Sequence, residues 1–355
     1  MSKFFSEKFS SLTPYVPGEQ PKEKKYIKLN TNESPFAPPE TVVEAVKGEA
    51  AKTQLYSDPE NSRLIELAAK TWGVKKTQLI ATNGSDEVLN FAFMSFCDKT
   101  HPIVFPDITY GFYKVFAELH GIPYETIPLK EDFSVDYRDY VGIGKNIVIA
   151  NPNAPTGHCL SVSQIEEILK SNPDNVVIID EAYVDFGGES CVPLIEKYDN
   201  LLVTQTFSKS RSLAGARLGL GFANEGLIAD LQTIRYSTNP YNVNRMTEAA
   251  GVAALEANAY FMNKAKTVQE NREYTKAALE KLGFFVLPSK ANFLFAKSDE
   301  IDGGELYEKL KARGVLVRHF SAERIKAFNR ITIGTKEQMD AFLGAVADIL
   351  KEKKE

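Results

Sequence analysis

Short aliphatic runs that break off at a polar residue recur through the middle of the chain, and they limit its possible folds more than any other feature. Asn146-Ile-Val-Ile-Ala150 stops at Asn151, Val176-Val-Ile-Ile179 stops at Asp180, and Leu201–Thr204 leads into the polar stretch Thr206–Arg217. Runs this continuous have no polar face to offer water, so as strands they are buried on both sides, which is the condition of a parallel sheet covered by helices. Helical patterning at Val162–Leu169 supplies one such crossover. Further strand patterns at Gln78–Thr82, Ile103–Phe105, Tyr124–Leu129 and 218–222 bring the sheet to seven. The expected fold class is α/β, with a mostly parallel, doubly wound sheet. No G-x-G-x-x-G is present. In open sheets of this kind ligands gather at the carboxyl edge, so the residues that end the runs carry the functional argument.

Lys209 follows one of those runs. A lysine leaving a buried strand can sit where its ammonium is partly desolvated, which leaves the free amine available as a nucleophile. Ser208 before it and Arg217 after it offer a hydroxyl and a fixed cation, the partners a phosphate ester needs. Asp180 ends another run, and a carboxylate there requires a cationic partner because an unpaired buried charge costs several kcal/mol. A protonated pyridine nitrogen would serve. Asn83-Gly-Ser-Asp-Glu87 opens a helix after Gln78–Thr82, and its free N–H groups, with Gly84 allowing close approach, form an anion site. An aldehyde on Lys209, a ring nitrogen on Asp180 and a phosphate near Ser208 and Arg217 together describe pyridoxal 5′-phosphate.

With these residues in place the chain resembles the aspartate-aminotransferase superfamily of fold-type I enzymes, and within it the histidinol-phosphate aminotransferases. The resemblance runs through Leu12-Thr-Pro-Tyr15, Leu29-Asn-Thr-Asn-Glu-Ser-Pro35, Tyr56-Ser-Asp58, Asn83–Glu87, Thr109-Tyr-Gly111, Asn151-Pro-Asn-Ala-Pro-Thr-Gly157, Asp180-Glu-Ala-Tyr183, Ser208-Lys209 and Arg217. Several motifs in the right order are far more specific than one. The resemblance implies that Lys209, Asp180 and Tyr183 are catalytic, with Tyr183 on the cofactor's phenolic oxygen. It assigns Tyr110 to the ring face, and Gly84, Ser85, Asp86, Ser208 and Arg217 to the phosphate. Tyr56 would reach the phosphate of a neighbouring subunit, which implies a homodimer with shared sites. Tyr15, Asn32, Asn292, Arg318 and Arg330 become substrate contacts. The implied reaction is transamination of histidinol phosphate with 2-oxoglutarate, giving imidazole acetol phosphate and glutamate, in histidine biosynthesis. The sequence departs from the family at Ala154, where Asn usually precedes Pro-Thr-Gly and donates to the cofactor's 3′-oxygen. Either Asn153 replaces that donor or Tyr183 carries the oxygen alone. A same-fold decarboxylase acting on a phosphate substrate, similar to threonine-phosphate decarboxylase, would use the same cofactor residues, and an aromatic amino-acid aminotransferase is a further alternative. A cofactor-binding transcription regulator would need a basic helix-turn-helix, which the short proline-rich arm does not supply.

Residues 1–40 read as an extended arm joined to the small domain, 41–282 as the large cofactor-binding domain and 283–355 as a small α/β domain. The large domain includes a long helical stretch, roughly Thr247 to Leu282, broken near Asn258. Strands are expected at Phe284–Leu287, Asn292–Ala296, Val315–Arg318 and Arg330–Ile333, and helices at 304–313 and 336–352. Net charge is only −5 and basic residues are scattered, which points away from nucleic acid and from anionic membranes as partners. Cys97, Cys159 and Cys191 are widely spaced, so neither a disulfide framework nor a zinc site is expected. His101, His120, His158 and His319 form no ligand cluster, with a substrate contact by His319 as the minor option. The N-terminus lacks an apolar export segment, and no run is long enough to span a membrane, so the expected location is the cytoplasm.

Overall fold

A computed structural model describes residues 2–10, 12–15, 17–21 and 25–355 of the chain. The arm contributes β1 (Ile27–Lys28). The large sheet is built from β2 (Leu79–Thr82), β3 (Ile103–Pro106), β4 (Tyr124–Ile127), β5 (Asn146–Ala150), β6 (Val177–Asp180), β7 (Leu201–Thr206) and β8 (Gly219–Ala223). Their order is β2-β8-β7-β6-β5-β3-β4. All pairs are parallel except those of β8, which runs antiparallel to both β2 and β7. Side chains alternate between two apolar layers. Val148, Ile178 and Leu202 join one core, while Ile149, Ile179 and Val203 join the other on the opposite face. Burial on both faces is what the uninterrupted aliphatic runs required.

The second unit holds β9 (Phe284–Val286), β10 (Phe293–Ser298), β11 (Val315–Leu316), β12 (Arg318–His319) and β13 (Asn329–Thr332). Four of them form an antiparallel sheet in the order β12-β13-β10-β9, and β11 pairs parallel with β1 of the arm. The expected single strand Val315–Arg318 is therefore two short strands that serve different sheets. Helices Arg245–Glu256 and Asn258–Lys281 form the expected long stretch, and its break falls at Ala257 beside Asn258. The second helix, about 36 Å long at 1.5 Å per residue, places Phe261 in the large core and Val268 and Leu279 in the small one. Helix Glu225–Thr238, capped by the Asn224 side chain, has no counterpart among the expected elements. Among the described residues no helix is long and apolar enough to cross a membrane.

Register brings three loops to one corner of the large sheet. Thr82, the last residue of β2, lies opposite Gly219, and Gly219 lies opposite Thr206 at the end of β7. The turn Asn83–Gly84, the segment Phe207–Lys209 and Arg217 thus emerge side by side. Gly219 has to be glycine, since a Cβ there would stand 2.2 Å from the backbone nitrogen of Ser85. Along the same edge Ala150 and Thr204 flank Asp180 in register.

Candidate active site

A cavity of about 290 Å³ opens at that edge, lined among others by Ser85, Asp86, Tyr110, Ala154, Asp180, Tyr183, Ser208, Lys209 and Arg217. Asp180 is 4% exposed. Its Oδ2 accepts from the Tyr113 hydroxyl at 2.8 Å, and its Oδ1 from the Ala182 N–H at 3.2 Å and the Thr204 hydroxyl at 3.3 Å. All three donors are neutral. Burial without a cation pushes the Asp180 carboxyl up to about 6, against the pull of those hydrogen bonds. Such a carboxylate is stabilised by any cation delivered into the cavity.

Lys209 faces the same space. Its Nζ donates to the Thr31 carbonyl at 3.3 Å and stands 5.8 Å from the centroid of the Tyr183 ring. The Tyr183 hydroxyl in turn accepts from the Asn32 amide at 2.9 Å. Tyr110 donates its hydroxyl to Asp86 at 2.8 Å, and burial raises its pKa well above that of a free tyrosine.

The corner beside Lys209 is shaped for an anion. Helix Ser85–Phe96 starts there, and the first-turn N–H groups of Ser85 and Asp86 have no carbonyl within the helix to bind. Arg217, held in the left-handed region at φ 58°, places Nη1 3.4 Å from the Ser208 hydroxyl and Nη2 3.3 Å from Asp86. Gly84 has φ 84°, and a Cβ on it would stand 2.6 Å from the Arg217 guanidinium. Asp86 therefore enters as a brace between Tyr110 and Arg217 as well as through its N–H.

Adjoining this cavity is a cleft of about 450 Å³ that Lys209 and Tyr183 share with Tyr15, Asn32, Arg318 and Arg330. Arg318 and Arg330 are directly opposite each other in the β12–β13 ladder. Like charges so placed repel, and a dianion between them would reverse the sign of that interaction. Arg330 is half-buried, and desolvation of its guanidinium pushes its pKa down. Its Nη2 donates to the Asn30 carbonyl at 3.0 Å, while its Nε has no hydrogen-bond partner among the described residues. Tyr15 packs on Phe112 with ring centroids 4.4 Å apart.

The geometry places four further residues named from the sequence. Asn153, 1% exposed, spends its amide on the Ile108 carbonyl at 3.0 Å and the Thr156 hydroxyl at 3.1 Å, and its oxygen accepts from Thr109 at 2.7 Å. It has no donor left to replace the one missing at Ala154, which itself lines the cavity. Asn292 does not line the cleft; it donates to the Asn32 carbonyl at 3.0 Å and so supports Asn32 from behind. Tyr56 is 78% exposed, stacked on Tyr241 at 4.5 Å, and is not part of its own chain's cavity. His319 stacks on Tyr307 and bonds the Lys326 carbonyl, away from the cleft. In the other direction, Tyr113 and Thr204 hold Asp180 although no motif marks them. Tyr113 sits three residues after Tyr110, close to one helical turn away, and that spacing was the only signal for it.

The residues present fit pyridoxal phosphate on this chain's own features: a buried carboxylate without a cation, a lysine across the cavity from it, and an anion cradle at one end. Comparison with known proteins points the same way. The model for the family "Aminotransferase class I and II" matches residues 24–346. Histidinol-phosphate aminotransferase of Brachyspira hyodysenteriae is 48% identical over 353 residues, covering 99% of this chain and 100% of that relative. The enzyme of that name from Acinetobacter baumannii is 48% identical over 340 residues, covering 95% and 94%. Among solved structures, histidinol-phosphate aminotransferase of Sinorhizobium meliloti in complex with pyridoxal-5′-phosphate superposes with a TM-score of 0.90 at 23% identity, covering 99% of both chains. L-threonine-O-3-phosphate decarboxylase of Porphyromonas gingivalis follows the same fold with a TM-score of 0.79 at 21% identity, covering 91% of this chain and 99% of that one.

Proposed function

The chain belongs to the class I and II aminotransferases, and from that membership we propose that it transfers the amino group of histidinol phosphate to 2-oxoglutarate with pyridoxal phosphate as cofactor. The observation that carries the reading is Asp180, buried without a cation, sharing one cavity with Lys209. Pyridoxal phosphate, when bound, supplies an aldehyde for amines and a ring that takes up electrons from the substrate α-carbon. Asp180 is the residue that would keep the ring nitrogen protonated. Ser208, Arg217 and the Ser85–Asp86 N–H groups would hold the phosphate, and Tyr183 the phenolic oxygen, without help from Asn153. Lys209 Nζ would be the base that takes the proton from the substrate α-carbon and the acid that returns it two bonds away, in a 1,3-shift. Arg318 and Arg330 would clamp the substrate phosphate, and Tyr15 and Asn32 close the cleft around it.

The test is single-turnover spectroscopy with histidinol phosphate, histidinol and threonine phosphate. Fast reaction of the first alone is expected. Equal reaction of histidinol would remove the phosphate clamp, and release of carbon dioxide from threonine phosphate would favour the decarboxylase. Arg330→Ala is expected to raise KM for histidinol phosphate about 10²-fold, the worth of roughly two charge-assisted hydrogen bonds. Its KM for histidinol should hardly change.

A homodimer in the cytoplasm, with Tyr56 entering the neighbour's site, completes the reading. Exposure of the Tyr56–Tyr241 stack supports it. Mixing Lys209→Ala with Tyr56→Phe chains should regenerate activity, because one of the two sites in the mixed dimer then carries both native residues. No recovery after proven subunit exchange would show that Tyr56 does not act across the interface.

A further inference from the structure

The reaction needs Lys209 held relative to Tyr183, yet among the described residues the one hydrogen bond of its ammonium is the 3.3 Å contact with the Thr31 carbonyl. Its position must come from the backbone that carries it. Two residues after Tyr183, in the turn Val184–Phe186, stands Asp185; one and two residues after Lys209 stand Ser210 and Arg211. Ser210 donates its hydroxyl to Asp185 Oδ2, and Arg211 Nη1 donates to the same oxygen at 2.9 Å. Arg211 is 3% exposed. Its guanidinium lies 5.0 Å from the Phe207 ring and 5.1 Å from the Trp72 ring, and Nη2 reaches Asn258 at 3.1 Å, at the start of the helix that joins the two cores. The clamp thus ties the Tyr183 segment to the Lys209 segment and anchors both to that helix.

We infer that Asp185 is a positioning residue: its carboxylate, by holding Ser210 and Arg211, sets where Lys209 stands relative to Tyr183. The inference rests on the transaminase reading. Without Asp185, Arg211 keeps a buried charge with no counter-ion, and the segment after Lys209 shifts to rehydrate it. A displacement of the segment that carries Lys209 affects the chemical step more than substrate binding.

The test counts sites before it measures rates. Wild-type and variant proteins are incubated with pyridoxal phosphate, reduced with borohydride at timed intervals, and the label on Lys209 is quantified by peptide mapping. Asp185→Ala should become trappable on Lys209 more slowly, and its kcat per labelled site should fall by about tenfold or more with KM nearly unchanged. Asp185→Asn, which can still accept from Ser210 and Arg211 but leaves Arg211 without a counter-ion, should recover only part of both. If Asp185→Ala does not fold, Ser210→Ala decides, with a smaller loss in the same direction expected. Normal trapping and normal kcat per site in the folded variant, or a loss confined to KM, would overturn the inference. Wild-type protein that takes no label on Lys209 would instead overturn the functional reading on which it stands.

Discussion

Lys209→Ala is expected to lower turnover by at least about four orders of magnitude, because one group supplies both the nucleophile and the proton carrier. The fold should survive. Among the described residues Lys209 forms no salt bridge, and its one hydrogen bond is to a carbonyl that borders the cavity. The thermal midpoint of the cofactor-free protein should therefore stay close to wild type. Added methylamine should restore part of the proton transfer while leaving KM for histidinol phosphate where it was. Loss of folding instead of loss of turnover would mean that Lys209 is a structural residue and that the chemistry lies elsewhere.

Asp180→Asn should have opposite effects on stability and on activity. The Asp180 carboxyl is pushed up from 3.8 to about 6 by burial. A raised acid is most favourable to the fold when protonated, below its unfolded value. That advantage is lost as pH rises through the folded value of about 6. At pH 8 the ionised side chain costs the cofactor-free protein on the order of 3 kcal/mol. Asparagine removes the charge, so at pH 8 the cofactor-free variant should be the more stable protein, by roughly 2 kcal/mol once an imperfect hydrogen bond is allowed for. Near pH 4 the two proteins should converge. Glu181, pushed up to about 7 by burial and held by Ser190, Cys191 and Gln205, titrates in a neighbouring window, but it is common to both proteins and cancels in the comparison. With cofactor present the order reverses. The amide has no charge to keep the ring nitrogen protonated, and turnover should fall by about three orders of magnitude. Denaturation midpoints at pH 4.5 and pH 8, with and without pyridoxal phosphate, measure both effects.

The site was legible where chemistry follows directly from strand ends. The runs before Asp180 and Lys209 announce buried strands, and a charged residue closing such a strand has few explanations other than a ligand. Asn83–Glu87 was legible for a related reason, since glycine before an amphipathic helix marks an anion cradle. What could not be read was the competition for hydrogen bonds in folded space. Asn153 follows the motif in sequence, but Ile108 and Thr156 take its amide. Asn292 finds its acceptor on Asn32, 260 residues away. The same distance problem hides Tyr113 and Thr204 behind Asp180. Strand Val315–Arg318 was mistaken in part because apolar alternation does not record a change of partner from β1 to β13. Helix Glu225–Thr238 escaped because it buries only Ile228, Leu231 and Arg235, too few to set up a strong period.

The most direct measurement is the peptide map of the protein after incubation with pyridoxal phosphate and borohydride reduction. The cofactor should be found covalently attached at Lys209, in the peptide that also carries Ser208, with nearly one label per chain. A map that places the label on another lysine, or none on Lys209 at saturating cofactor, would contradict the assignment of this cavity as the active site.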